Sequence, residues 1–214
     1  SAVHGALQAF HEALMRGDEK RDDEIVSLFD TDWAAECAGN MKLKNGETPE
    51  KLRELGHALV RLYMNESRDL SVRAVEHAFD VQLVDPTTGE VLGPNLVGVF
   101  DLIVEENTVV ELKTAARDYS SDMLSRHIQV ALYDYAYRQI HGAAPRIEVV
   151  ALVKTKLPAL KRHTVRKSAG DSVWIAHLAA EVARAIDARV FPPNPGWSCA
   201  DCEYGDECRA WRGN

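Results

Sequence analysis

An α/β domain built on one mixed β-sheet is the fold class the sequence predicts, on three observations. Amphipathic helical stretches occupy both ends of the chain. Three β-rich segments run in succession through its middle. A largely apolar strand, RIEVVALVKTK (146–156), follows a long helix, the order expected of a strand buried on both faces. The 214 residues favour one domain, and about 70% of the unfolded chain's surface can be buried at this size.

The elements follow in order. Residues 3–16 and 22–38 read as amphipathic helices, the second polar at its start and apolar through Ile25, Val26, Leu28, Phe29 and Trp33. The stretch 39–49 carries Gly and Asn turn signals and ends in Thr48-Pro49-Glu50, a helix entry. The helix it opens, about 50–66, sets Leu52, Leu55, Leu59 and Leu62/Tyr63 on one face, with His57 off the stripe's centre. Segments 71–84, 96–105 and 108–116 are strands, the last two forming a hairpin. A helix over 120–141 ends at His141-Gly142, a second helix covers 171–189, and the Pro/Gly/Cys-rich tail beyond reads as irregular. The expected division is a helical amino-terminal part (1–49), a core (50–160), and a carboxy-terminal helix with its cysteine tail (161–214).

Composition narrows the function. Hydrophobic residues make up 46% and charged residues 27%, ordinary globular values that exclude wholesale disorder. No apolar run reaches the roughly 18 residues of a membrane span. The start of the chain has no basic stretch followed by an apolar one, so the expected location is cytoplasmic. The net charge of −8 argues against coating nucleic acid through overall charge. Its distribution is uneven: residues 1–50 hold five Lys/Arg against eleven Asp/Glu, whereas 151–170 hold six Lys/Arg and no acid. That basic stretch is either a confined polyanion track or a solvated loop.

The hairpin carries the chemistry. Glu111 and Lys113 are two apart on a strand and project from one face. Asp101 joins them only if paired positions sum to 212, which requires an odd loop such as Glu105-Glu106-Asn107, with Asn107 in a left-handed conformation. That register is the one expected. Two carboxylates meeting there need a cation, and carboxylate, water and phosphate oxygens suit Mg²⁺ or Mn²⁺. Such an ion polarises a phosphoryl oxygen and lowers the pKa of bound water. Lys113 beside it orients that water and offsets charge on phosphorus. Alone, the pattern is also that of a surface Glu-x-Lys salt bridge.

Three further features accompany it. His57 either supplies an imidazole to the site or is a structural helical histidine. Gln129 and Tyr133, at i and i+4 of the helix after the hairpin, either bracket the site or divide between solvent and core. Cys37 and a C-x2-C-x5-C set, Cys199, Cys202 and Cys208, give the four thiolates of a structural zinc or a [4Fe–4S] cluster. A clamp between residues 162 positions apart would close a very large loop.

Together these residues resemble the PD-(D/E)XK nuclease superfamily, in particular its RecB-like branch with an iron–sulfur staple, such as AddB/RecB nuclease domains and the single-domain nucleases of CRISPR adaptation. The matching string is His57, Glu76 in AVEHAF, Gly98 and Asp101 in LVGVFDLI, Glu111-Leu112-Lys113-Thr114, Gln129-x3-Tyr133, and the PNPGWSCADCEYGDEC tail. The resemblance implies a restriction-endonuclease-like core, with the amino-terminal helices tied to the tail. It implies His57, Asp101, Glu111 and the Leu112 carbonyl as metal ligands and Lys113 as the catalytic lysine. Gln129 and Tyr133 would lie beside the active site against DNA, and Cys37, Cys199, Cys202 and Cys208 would hold a [4Fe–4S] cluster, with zinc as the alternative. Phe100-Asp101 stands where the family has Pro-Asp, and Glu76 reads as structural.

The implied activity is metal-dependent hydrolysis of DNA phosphodiesters, most simply exonucleolytic trimming of single-stranded ends with Mn²⁺ or Mg²⁺. Implied partners are DNA and proteins of recombination, repair or CRISPR adaptation. The rival expectation is a cluster-bearing DNA-binding adaptor whose cutting is vestigial or partner-dependent; the intact Asp–Glu–Lys set argues against it.

Overall fold

The computed structural model describes the chain apart from residues 19–20, 40–42, 44–45, 106, 197–198, 200–201 and 212–214. Glu106 of the expected hairpin loop, part of the 39–49 turn and four residues of the cysteine motif therefore lie outside the described residues. Three helices open the chain: α1 (Ala2–Arg16), α2 (Asp22–Ala38) and α3 (Pro49–Ser67). Strands β1 (Val72–Val81), β2 (Leu96–Val104) and β3 (Thr108–Ala115) follow. Next come α4 (Ser121–Ser125), α5 (Ile128–His141), β4 (Arg146–Val153), β5 (Ala159–Val165), α6 (Ala169–Asp187) and α7 (Gly205–Trp211).

The strands form one sheet in the order β1-β2-β3-β4-β5. Only β3 and β4 run parallel, joined by the α4–α5 crossover, and the other neighbours are antiparallel. The sheet is mixed, as expected. The two faces of the sheet carry two cores, and β2 changes face at Asp101, so that Phe100 and Leu102 fall on opposite sides. Leu102, Val110, Leu112, Val150 and Leu152 pack with α1, α2 and α3 on one face. Phe100, Val109, Ile147 and Val149 pack with α5 and α6 on the other. β4 is buried on both faces, which explains its unbroken apolar run.

Local chemistry sets the helix ends. In α1, Ala2, Ala6, Leu7, Phe10 and Ala13 form the buried stripe, and Gly17 ends the helix at φ 72° with its N–H on the helix's last carbonyls. Thr48 caps α3, its side chain accepting from the Lys51 N–H, with Pro49 in the first turn. Gly56 lets α2 and α3 approach closely: a Cβ there would stand 2.2 Å from the Phe29 ring.

Three expectations need correction. The helix over 120–141 is two helices, because Arg126 and His127 leave the helical path and His127 becomes the extended N-cap of α5. The buried Lys167 ammonium donates to the Ser125 carbonyl and so satisfies the end of α4. The basic stretch is not a loop throughout, since residues 159–165 form edge strand β5. Its Lys161, Arg162 and His163 masked a strand signal, although charge is what an edge strand needs. Among its described residues the tail holds one short helix, α7.

Candidate active site and metal centre

The β2–β3 ladder runs from Val104↔Thr108 through Ile103↔Val109 to Leu102↔Val110 and stops. Paired positions sum to 212, the register expected, and Asn107 sits at φ 55° in the turn. Yet β2 stays paired with β1 as far as Leu96, and β3 with β4 as far as Ala115. The sheet therefore parts into two ribbons just past the hairpin. Asp101 and Glu111 are the first residues beyond the last shared rung.

Groups from both ribbons and both helical layers meet in that gap. The Leu112 N–H donates to Asp101 Oδ2 at 2.9 Å. Lys113 Nζ pairs with a Glu111 carboxylate oxygen and donates to Gln129 Oε1 at 2.6 Å. Gln129 Nε2 donates to the Tyr133 hydroxyl at 3.2 Å. That hydroxyl donates to the Val99 carbonyl at 2.7 Å, with Asp101 Oδ1 at 3.4 Å. The phenol thus occupies a carbonyl that β3 would have satisfied had the ladder continued. Gln129 and Tyr133 join the cluster because the α4–α5 break starts a new helix at Ile128. Tyr133 is nevertheless buried, so its hydroxyl faces the cluster rather than bulk solvent.

Electrostatics mark Glu111 as the costly member. It is 2% exposed, and Oε2 has no hydrogen-bond partner. Burial, then the Asp101 charge, raises its pKa, while Lys113 opposes the rise. Burial and the two neighbouring carboxylates likewise push the Tyr133 phenol up, so it stays a donor. Behind Glu111 and Lys113, the wall of Tyr119, Leu124, His127, Val130 and Val149 leaves no room for water.

Two residues beyond those expected reach the gap. His4 Nε2, from α1, lies 3.0 Å from the Leu112 carbonyl, and its Nδ1 lies 2.8 Å from Ser1 Oγ. The sequence signal was its place on the α1 face shared with Leu7 and His11 (i, i+3, i+7). Glu76 belongs here too. Val75↔Leu102 and His77↔Phe100 set it across β1 from Asp101, and it holds φ 45°, a left-handed backbone costly for a non-glycine residue. Burial and the Asp101 charge raise its pKa. Read from sequence as structural, Glu76 instead continues the acidic row across three strands.

His57 does not join them. Its Nε2 lies 2.6 Å from Asp30 Oδ1 and its ring stands edge-on to Phe29, 5.1 Å away, in the α2–α3 contact. Arg53 binds the same Asp30 carboxylate through two hydrogen bonds of 2.7 Å, and these, with His57, hold that acid well below its ordinary range. The histidine expected at the metal is thus a hydrogen-bond partner of Asp30 between helices. The imidazole at the hairpin comes from α1.

The oxygen donors suit a hard divalent ion: two carboxylates, one with a partnerless buried oxygen, and a strand carbonyl. Among the described residues, no three His, Cys, Asp or Glu side chains are close enough to form a metal shell unaided. The Leu112 carbonyl, water and substrate oxygens would have to complete it, which is how Mg²⁺ is commonly held.

The expected four-cysteine meeting is not seen among the described residues. Cys199, Cys202 and Cys208 line one cavity of about 270 Å³ with Pro193, Pro195 and Arg209. Cys37 stands on the last turn of α2 and lines no part of it. No described helix is long and apolar enough to cross a membrane.

The split mixed sheet, with acids and a lysine where its ribbons part, is a nuclease architecture. A family model of the PD-(D/E)XK nuclease superfamily matches residues 1–209, and the chain belongs to that superfamily. Its nucleases generally use Mg²⁺ or Mn²⁺. Among solved structures, a candidate exonuclease from Eubacterium rectale superposes with a TM-score of 0.55 at 16% identity, covering 90% of this chain and 75% of its own. The protein SSO0001 gives 0.44 at 14% identity, covering 89% and 98%. These likenesses concern the fold. No curated protein sequence matches.

Proposed function

We propose that the protein is a divalent-metal-dependent deoxyribonuclease that hydrolyses phosphodiester bonds, acting as an exonuclease on single-stranded ends. The observation that carries this reading is the meeting of Asp101, Glu111 and Lys113 where β2 and β3 part. Asp101, Glu111, the Leu112 carbonyl and the His4 imidazole are the groups that would hold Mg²⁺ or Mn²⁺. The ion supplies Lewis acidity toward a phosphoryl oxygen and a water acidified by coordination.

The chain's own residues do the rest. An ammonium has three donors. Lys113 directs one at Glu111 and one at Gln129, which fixes its head beside the carboxylates, where it orients water and offsets charge at phosphorus. Tyr133 holds Gln129 and the edge of β2 in register with that lysine. The candidate exonuclease from Eubacterium rectale supports end-trimming by analogy of fold alone. The three tail thiols sharing one cavity support a [4Fe–4S] cluster completed by Cys37, with zinc as the alternative.

The test is cleavage of end-labelled single-stranded DNA with Mn²⁺ or Mg²⁺. Wild type should shorten it and Lys113→Ala should not; equal products from both would overturn the reading. A brown preparation absorbing near 400 nm would identify the cluster, and colourless protein with stoichiometric zinc would replace it.

A further inference from the structure

We infer that the cavity between the amino-terminal helices and the far end of β3 is a nucleobase pocket, which receives the base of a single-stranded nucleic acid lying beside the acidic gap. The inference rests on the nuclease reading and adds the part of the substrate that the site grips.

The cavity is about 160 Å³. A cavity of ~150 Å³ lined by aliphatic and aromatic side chains admits one benzene ring, so this space matches one six-membered ring. Trp33, Phe29, Leu52 and Leu55 supply apolar walls, and Glu36 and Lys154 supply charge at the edge. Trp33 and Phe29 lie nearly parallel, 8° apart with centroids 6.1 Å apart, and Trp33 is only half-buried. A mostly apolar hollow with a few polar groups is the usual form of a ligand site.

Position selects the ligand. Thr114, on the wall, directly follows Lys113, and Ala2 and Val3, also on the wall, directly precede His4. The cavity thus lies on the α1–α3 face of the sheet, reaching the gap through His4 and the Leu112 carbonyl, while Lys113 projects from the opposite face. A wider groove of about 840 Å³ shares Leu52, Leu55 and Lys154 with it and adds Lys51 and Lys156. A ring in the pocket therefore carries its phosphate toward exposed lysines. Glu36, whose Oε1 accepts from the Ala2 N–H, disfavours phosphate on its own side. That polarity, base inward and phosphate toward Lys154, fits a nucleotide. A base paired in a duplex must first leave its stack, so the pocket favours single strands or frayed ends.

The experiment uses the full chain in chelator. It compares fluorescence anisotropy of a labelled oligothymidylate with that of an equally long strand of abasic sugar–phosphates. Wild type should bind the base-bearing strand about tenfold more tightly, the yield of one stacked base. Trp33→Ala should bring that ratio to about one, and Trp33→Phe should retain most of it. Leu52→Trp, which fills the pocket without emptying the core, should also bring it to about one. A wild-type ratio of one, no binding of either strand, or a ratio surviving both Trp33→Ala and Leu52→Trp overturns the inference. Cleavage by wild type with a ratio of one sinks the pocket alone. Absence of cleavage with any divalent ion sinks the nuclease reading, while the ratio still decides the pocket.

Discussion

Two buried carboxylates, Asp134 on α5 and Glu111 on β3, have opposite surroundings. Asp134, on α5, accepts from Arg138 Nε at 2.7 Å and from the Ser172 hydroxyl at 2.8 Å, and so pins α5 to α6. Glu111 has Lys113 on one side and a second carboxylate, Asp101, on the other. Each retains one buried oxygen without a partner. A partnerless oxygen is therefore not what distinguishes them. The difference is the company of like charge: Asp134 is neutralised by the fold, whereas Glu111 is left needing a cation.

The largest expected contrast is in activity. Glu111→Gln and Lys113→Ala should each lower cleavage by about 10²–10³-fold, while Asp134→Asn should leave cleavage within about threefold on a single-stranded substrate. In stability the order reverses. Asp134→Asn leaves Arg138 without its counter-charge and should cost roughly 3 kcal/mol in urea unfolding. Glu111→Gln removes a carboxyl whose charged form burial and Asp101 disfavour, so at pH 7 it should unfold no more easily than wild type. If both variants lose stability alike, the distinction between them fails.

Divalent ion sharpens the same contrast. Mn²⁺ at about 100 times its Kd should stabilise wild type and Asp134→Asn by about 2.7 kcal/mol. It should do little for Glu111→Gln, as read by thermal melting with and without the ion.

A third buried group tests whether burial alone makes a site. His11 is 1% exposed, bonded to the Tyr63 hydroxyl at 2.9 Å, and burial lowers its pKa from 6.5 to about 3. Its folded value lies below its unfolded one, so the stability it confers is complete above pH 6.5 and drains as pH falls toward 3. Between pH 7 and 5 wild type should lose about 2 kcal/mol more than His11→Gln, with cleavage chemistry untouched in the variant at pH 7. Parallel stability curves for the two proteins would show that His11 titrates freely.

The smallest contrast is between two histidines. His57→Ala should cost about 1 kcal/mol through its half-buried hydrogen bond to Asp30 and leave Mn²⁺ dependence unchanged. His4→Ala should raise the Mn²⁺ concentration needed for half-maximal cleavage by about 10-fold or more. The reverse outcome would restore His57 to the metal.

These histidines also mark where sequence reading runs out. Strand parity and a loop of odd length were enough to set the register that leaves Asp101 and Glu111 together just past the last rung. Gln129 and Tyr133 could be assigned one face by helical spacing. What delivers that face to Lys113 is the break at Arg126–His127, held by a buried lysine 42 positions downstream, and no local signal encodes it. His4 reaches Leu112 across 108 residues. Helical period places it on an inward face with Leu7 and His11, but not at the hairpin, since that depends on which helix crosses the parted strands. β5 was hidden by the charge that suits it to an edge. Glu76 was read as structural because its place beside Asp101 depends on the β1–β2 register and on a left-handed backbone, which its own stretch of sequence does not encode.

The loop of three between β2 and β3 ties these properties to one another. Remove a single codon from it and every residue of β3 exchanges layers: Leu112 turns toward α5 and Lys113 toward the packed interior of α1–α3. The hydrophobic order and the catalytic order would be lost in one event. Length variation at this tip, ordinarily the most forgiving place on a protein surface, should therefore be tolerated here only in steps of two.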